Sequence, residues 1–447
     1  MIPQIGTTRP ASLKTRGWTW GAAIGLSALL WFFVGIPGED AFVDEWAYVS
    51  QSYYADLYLS GNWDDRMWLD YPAYDLPPLP KYTIGLSLMS QGYARPKRAA
   101  AVEWYRNTSY AAGPRSMLIA ARWPTAVFGA FGCVALFALG SVAFGRAVGL
   151  VAAILLALNP LYALHSRRAM SDVPAEALIL ATEALALFLI VRAGRWSLAR
   201  FLVWVGVGIL GGLAVLSKLN GSLALMTVVA WSAAVFFVRS WPAGRKWTIA
   251  SATVLAGCVG LLTFALGNPF LTANPAVRLG GEDSKIAEMG IMQRARYVAD
   301  HRVGVSSGAA KQFPNDALTT LPAKVSVMLV QGLGRFGPFG PAHSDSTKRF
   351  DRAQDWGALP WGFGLMVGAF FLIRRILDDR LNGRPPTALL IAVQVSLAVL
   401  VVTAFIPLAW DRYFLSIQPS MALLGALGLC SLYRWLRPNV VAGSFPR

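Results

Sequence analysis

The chain has 447 residues; 55% are hydrophobic, only 14% are charged, and the formal net charge is +16. A soluble domain carries about 25% charged residues, so a freely soluble fold is excluded and lipid is the solvent for much of the chain. An excess of positive charge often signals nucleic acid, but its distribution here has another cause and implies no nucleic-acid partner.

Ten apolar spans follow one another, at roughly 18–36, 117–144, 147–165, 173–191, 199–217, 221–238, 247–267, 356–373, 387–409 and 413–433. Each is near or above the ~20 residues that cross a bilayer as a helix. Two shorter stretches, 82–90 and 323–333, read as interfacial or re-entrant helices. Arg9, Lys14 and Arg16 precede the first span like the start of a signal peptide. Its apolar run from Trp18 to Ile36 exceeds a signal core of about 7–15 residues, and no clear small-residue cleavage site follows. It reads as an uncleaved anchor. The expected fold is an all-α polytopic membrane protein, with residues 1–447 as a single membrane-embedded domain and no separate soluble domain.

Charge sets the orientation. With a cytoplasmic N-terminus, the inside segments 1–17, 145–146, 192–200, 239–246, 374–386 and 434–447 hold seventeen basic residues against two acids, Asp378 and Asp379. That surplus of +15 is nearly the whole net charge, which is a positive-inside pattern. Both termini are then cytoplasmic. Two long loops, about 37–116 and 268–355, lie on the extracytoplasmic side of a cell membrane with the short links 166–172, 218–220 and 410–412. Any chemistry is expected there.

The outer segments carry the candidate residues. Asp44-Glu45 stands just beyond the first span. Adjacent acids there fit either catalysis at the bilayer surface or the capping of a surface helix. Farther on, the prolines of Leu76-Pro77-Pro78-Leu79-Pro80-Lys81 fix an extended path that sets Lys81 at the start of the 82–90 helix. Lys81 there meets lipid phosphate nonspecifically or holds a phosphate in a defined site. Arg167 and Arg168 oppose the positive-inside trend, which calls for a specific reason. Asp172, before Val173-Pro174, fits an N-cap of the fourth span. Lys218, Asp411, Arg412 and Tyr413 stand at outer span ends, where such cations pair with acids or bind anions.

Other patterns weigh less. Gly206-Val207-Gly208-Ile209-Leu210-Gly211 fits a dinucleotide pattern but lies inside a span with no strand before it; Gly208 and Gly212 fit close helix packing instead. Glu183 is the only clear mid-span acid and is expected to face protein or a polar pocket. His165, His301 and His343 make no zinc spacing. Cys133, Cys258 and Cys430 fall within spans, which argues against a disulfide bracing the outer loops.

The order of these segments carries a resemblance. Asp44-Glu45, Pro77-Pro78-Leu79-Pro80-Lys81, Ser166-Arg167 with Asp172, Gly212-Leu213 through Lys218, Asn268-Pro269-Phe270 and Arg412-Tyr413 follow one another as in polytopic glycosyltransferases with lipid-phosphate sugar donors. The chain resembles protein O-mannosyltransferases and lipid A aminoarabinose transferases, and more closely their bacterial cousins. It departs at Leu76, where those families have histidine or lysine. The resemblance implies a GT-C-like fold and transfer of a hexose or pentose from a polyprenyl-phosphate sugar to a protein, lipid or glycan acceptor. It implies Asp44 as the acid at the acceptor, Glu45 as its neighbour and Asp172 as a second acid. Lys81, Arg412 and one of Arg167 or Arg168 are expected at the donor phosphate, with Tyr48, Lys218 and Tyr413 toward substrate.

The residue types suit that chemistry. A sugar phosphate leaves as a stable anion, so cations or a divalent metal ion can hold its charge. The acceptor hydroxyl needs one aligned base. No second, nucleophilic carboxylate is evident, which points to inversion. A transporter or flippase of lipid-linked sugars is the alternative, but it should place its ionisable groups near the bilayer midplane.

Overall fold

The structure is a computed structural model that describes residues 13–96, 113–192, 194, 196–274, 281–334, 337 and 356–436. Arg9, Arg195, His343, Arg437 and Arg447 lie outside them, as do the side chains of Lys14 and Arg16. The apolar runs form helices because a backbone in hydrocarbon must satisfy its own N–H and C=O groups. The first is α1 (Leu13–Gly35). The connection after it folds into α2 (Val43–Ser50), α3 (Tyr54–Leu59), α4 (Tyr71–Asp75) and α5 (Pro78–Ser90). Then come α6 (Arg115–Phe144), α7 (Arg146–Leu158), α8 (Pro160–Ser166), α9 (Asp172–Val191), α10 (Leu198–Ser217), α11 (Leu223–Phe236) and α12 (Ala243–Leu266). A second long connection carries α13 (Gly281–Glu288), α14 (Ile291–Gln312) and α15 (Leu321–Val330), before α16 (Ala358–Leu381), α17 (Thr387–Phe405) and α18 (Gln418–Leu436).

Among the described residues nine helical segments are long and apolar enough to cross a bilayer, and ten if the bent pair α7–α8 counts as one span. The chain is a multi-pass membrane protein. α9 stands at its centre, 89% buried and packed by α6, α10 and α11. Gly145 turns the chain from α6 into α7 at φ 97°, a conformation that favours glycine. Gly208 and Gly212 let α10 lie against α12: a Cβ at either would sit 2.6 Å from a backbone carbonyl, of Ala256 or Gly260.

The third span is broken where a continuous run was expected. Pro160 has no N–H to continue the ladder, and the Asn159 side chain caps the new start by accepting the Tyr162 N–H at 2.9 Å. Asn159 also donates to Gln418 Oε1 at 3.0 Å, which fixes the break to α18. The axis turns by 68°, and α8 carries His165.

The two long connections meet at one end of the bundle. Tyr82 of α5 donates to the Gly267 carbonyl at 3.2 Å, and the Tyr74 ring lies 5.1 Å from that of Phe270. Tyr54, Trp68, Leu271 and Val298 join them in one buried cluster. Two local expectations are corrected, and one helix is new. The prolines do not precede the short helix but begin it, since α5 starts at Pro78 in positions that need no donor; Lys81 is therefore inside the first turn. The second short helix runs over Leu321–Val330. The 22-residue α14 has no counterpart in the hydropathy reading, because its charged residues hide a helix that packs through Arg294 and Val298.

Candidate active site

The two adjacent acids divide their work because consecutive residues on a helix point in different directions. Glu45, in the first turn of α2, is fully buried. Its Oε2 accepts the Phe42 N–H at 2.9 Å, and its Oε1 accepts the Ala169 N–H at 2.7 Å. Arg122 of α6 grips it twice, at 2.8 and 2.7 Å. The remaining Arg122 donors go to the carbonyls of Ile36, Glu39 and Asp40. This pair ties α2 to α6 and to the link before α9, and every contact is structural.

Asp44 faces the other way. It pairs with Arg412, which comes from the segment entering the last span. Its side chain is 38% exposed, against 0% for Glu45 and 4% for Asp172. Asp172 is held by Lys218 at 2.5 Å, with Arg412 and His165 in electrostatic range. It was expected as an N-cap; instead it is the first residue of α9, after Ser171, and no side-chain cap bond forms. Ser171 accepts the Tyr48 hydroxyl at 2.7 Å. Burial is the main force raising the Tyr48 phenol pKa far above its usual value.

The neighbouring arginines separate. Arg168 is buried over the Phe42 ring and lies 3.7 Å from Glu39. Arg167 turns away, stacking on Trp31 of α1 and donating to its carbonyl at 3.2 Å. Tyr413 lies beside the Arg412 guanidinium, 5.5 Å from ring centroid to charge centre.

Lys81 belongs to an adjoining cluster. Its Nζ donates to the carbonyls of Pro72 at 2.5 Å and Ala73 at 3.3 Å, and lies over the Tyr54 ring. Burial lowers its ammonium pKa well below the usual lysine value; Asp75 opposes the shift and Arg302 adds to it. Asp75 accepts the Tyr71 hydroxyl at 3.1 Å and faces His301 at 3.4 Å and Arg302 at 3.9 Å. Burial, with Asp75 next, pushes the Tyr71 phenol up to about 12. These contacts join α4 to α14.

Sequence reading missed Arg122, His165, Glu176 and Arg302 as partners. A lone arginine in an apolar span is itself a signal, since it must be compensated. Glu176, one turn after Asp172, is a second buried acid in α9 and contacts Ser416. Glu183 meets a polar pocket as expected, accepting from Gln394 at 3.2 Å. Among the described residues no three His, Cys, Asp or Glu side chains come together to hold a metal ion.

The whole helical order matches solved structures. ArnT from Cupriavidus metallidurans, bound to undecaprenyl phosphate, superposes with a TM-score of 0.54 at 15% identity, over 97% of this chain and 67% of that one. The chain has a GT-C fold. The archaeal oligosaccharyltransferase AglB from Archaeoglobus fulgidus, in complex with an inhibitory peptide and a dolichol-phosphate, shares that GT-C fold with a TM-score of 0.55 at 14% identity. There the match covers 97% of this chain and 53% of the other. The family described as dolichyl-phosphate-mannose-protein mannosyltransferase matches residues 111–266, the GT-C stretch from α6 to α12. No curated protein matches the sequence.

Proposed function

We propose that the chain is a glycosyltransferase that moves a sugar from a polyprenyl-phosphate donor to an acceptor at the extracytoplasmic face, with inversion. One observation carries the reading: of the three candidate acids, only Asp44 is substantially exposed, and it is set against a cation. The match to a protein that holds undecaprenyl phosphate supports a lipid-phosphate donor. The peptide in AglB favours a protein acceptor, with lipid and glycan as the other acceptor classes.

The acceptor oxygen attacks the anomeric carbon and its proton passes to Asp44. The bond from that carbon to the phosphate oxygen breaks, and polyprenyl phosphate leaves with its electron pair. Arg412 and Arg168, with Lys218 nearby, hold the growing negative charge. Tyr413 lines the sugar side, and the buried Tyr48 supports it through Ser171 at the start of α9. Lys81 supports the site through the carbonyls of α4. The positive-inside pattern supports an outer position for this end of the bundle and cytoplasmic termini.

The test is incubation of purified protein with a panel of polyprenyl-phosphate sugars and candidate acceptors, read by mass spectrometry. Release of polyprenyl phosphate with a glycosylated acceptor, lost in Asp44→Asn, is the expected result. Equal product from the parent and from Asp44→Asn would remove the base assignment; no product from any donor would remove the reading.

A further inference from the structure

His165 lies in the last turn of α8 and is 1% exposed. Its Nε2 lies 3.7 Å from Asp411 Oδ2, and neither ring nitrogen has a hydrogen-bond partner. A buried polar group in that condition is costly, and the surroundings show what relieves it. Asp411 faces it from the segment that also carries Arg412. Asp172 lies within electrostatic range on α9, one turn from Glu176, and both acids interact with Lys218. Arg168 acts on Asp411 from the link before α9 and also meets Glu39. Asp44 joins through Arg412. Four carboxylates, Glu39, Asp44, Asp172 and Asp411, thus face four permanent cations, Arg167, Arg168, Lys218 and Arg412. An arriving phosphate adds one negative charge to this set, and buried charge needs compensation. Imidazole is the side chain that gains a positive charge near neutral pH.

We propose that His165 is a proton-linked charge partner of the phosphate site: binding of a phosphate-linked lipid draws one proton from solution onto its imidazole, and Asp411 and Asp172 hold the resulting cation. The inference rests on the donor reading above and adds a group that no family motif in the chain contains. It predicts that donor affinity falls as pH rises. His165 acts on binding, whereas Asp44 acts on turnover.

The probe is a short-chain polyprenyl phosphodiester of a hexose, whose single phosphate charge is constant near neutral pH. Its affinity is measured by calorimetry between about pH 5.5 and 8.5, the range in which imidazole titrates. The parent is expected to bind roughly tenfold more tightly at the acid end, with proton uptake shown by buffers of different ionisation enthalpy. His165→Gln should bind weakly and without this dependence, and His301→Gln should keep it. The 15N spectrum of histidine-labelled parent, which has three histidines, reads the protonation state directly and does not depend on a variant at 165 folding. Binding that is flat across pH, or a neutral His165 with ligand bound, overturns this inference alone. Failure of the folded parent to bind at any pH overturns the donor reading and this inference with it.

Discussion

Arg412 closes on Asp44 across 368 residues of sequence, so the start of the last span completes the first turn of α2. Asp44→Asn should leave folding and donor binding nearly intact and lower turnover by about 10²–10⁴-fold, the usual contribution of a positioned base. Arg412→Met should chiefly weaken donor binding. Single-turnover kinetics beside equilibrium binding separate the two effects. An Asp44→Asn variant with turnover within severalfold of the parent would move the proposed base to Asp172.

Glu45 should behave differently from its neighbour. Arg122→Met leaves a buried, uncompensated carboxylate, a change of about 3–5 kcal/mol. Glu45→Gln removes the charge and disturbs the contacts to Arg122 and Ala169. Both variants should melt earlier than the parent in the same detergent, whereas Asp44→Asn should melt with it. Parent-like melting of Arg122→Met would deny the pair its role in holding α2.

Lys81 carries a pH signature in stability. Its folded pKa is depressed by burial, so between that value and the ~10.4 of a free lysine the unfolded chain binds the extra proton. Stability from this group is therefore complete above the unfolded value and is lost as pH falls toward the folded one. Lys81→Met should remove this slope, so the stability difference between variant and parent changes steadily with pH in denaturant titrations. A constant difference across that window would place the ammonium in water.

Asp75 links the two long connections through Tyr71, His301 and Arg302. Asp75→Asn weakens all three contacts without changing the side chain's size. Hydrogen exchange should accelerate over Ile291–Gln312 and remain unchanged over the central helix α9. Unchanged protection of α14 would show that the aromatic cluster alone holds it.

Much of the fold is legible from hydropathy, because a span must be both long and apolar to cross lipid. The gathering of Asp44, Asp172, Lys218 and Arg412 at one end is legible too, since alternating spans return their links to the same side of the bundle. Their pairings are not. Which cation meets which acid depends on helix rotation and on contacts between segments far apart in sequence, as Arg412 and Asp44 show. The expectation that Lys81 precedes its helix rests on proline as a breaker, although in a first turn proline is a starter. His165 matches no metal spacing in the sequence, and what singles it out is the acid that faces it in space, Asp411. α14 gave no signal, since a polar helix has no hydropathy peak.

The distance along the chain between Asp44 and Arg412 has a consequence in time. Synthesis runs at ~5–20 residues per second, so roughly 20–70 s separate the emergence of the acid from that of its partner across those 368 residues. Through that interval the nascent protein carries half of its site. A truncated product that stops before the last span has every earlier helix and the acid, but not the guanidinium that faces it. The arrangement makes assembly of the pair the final event of biogenesis, and a quality-control step that senses insertion of the last span would sense a completed bundle.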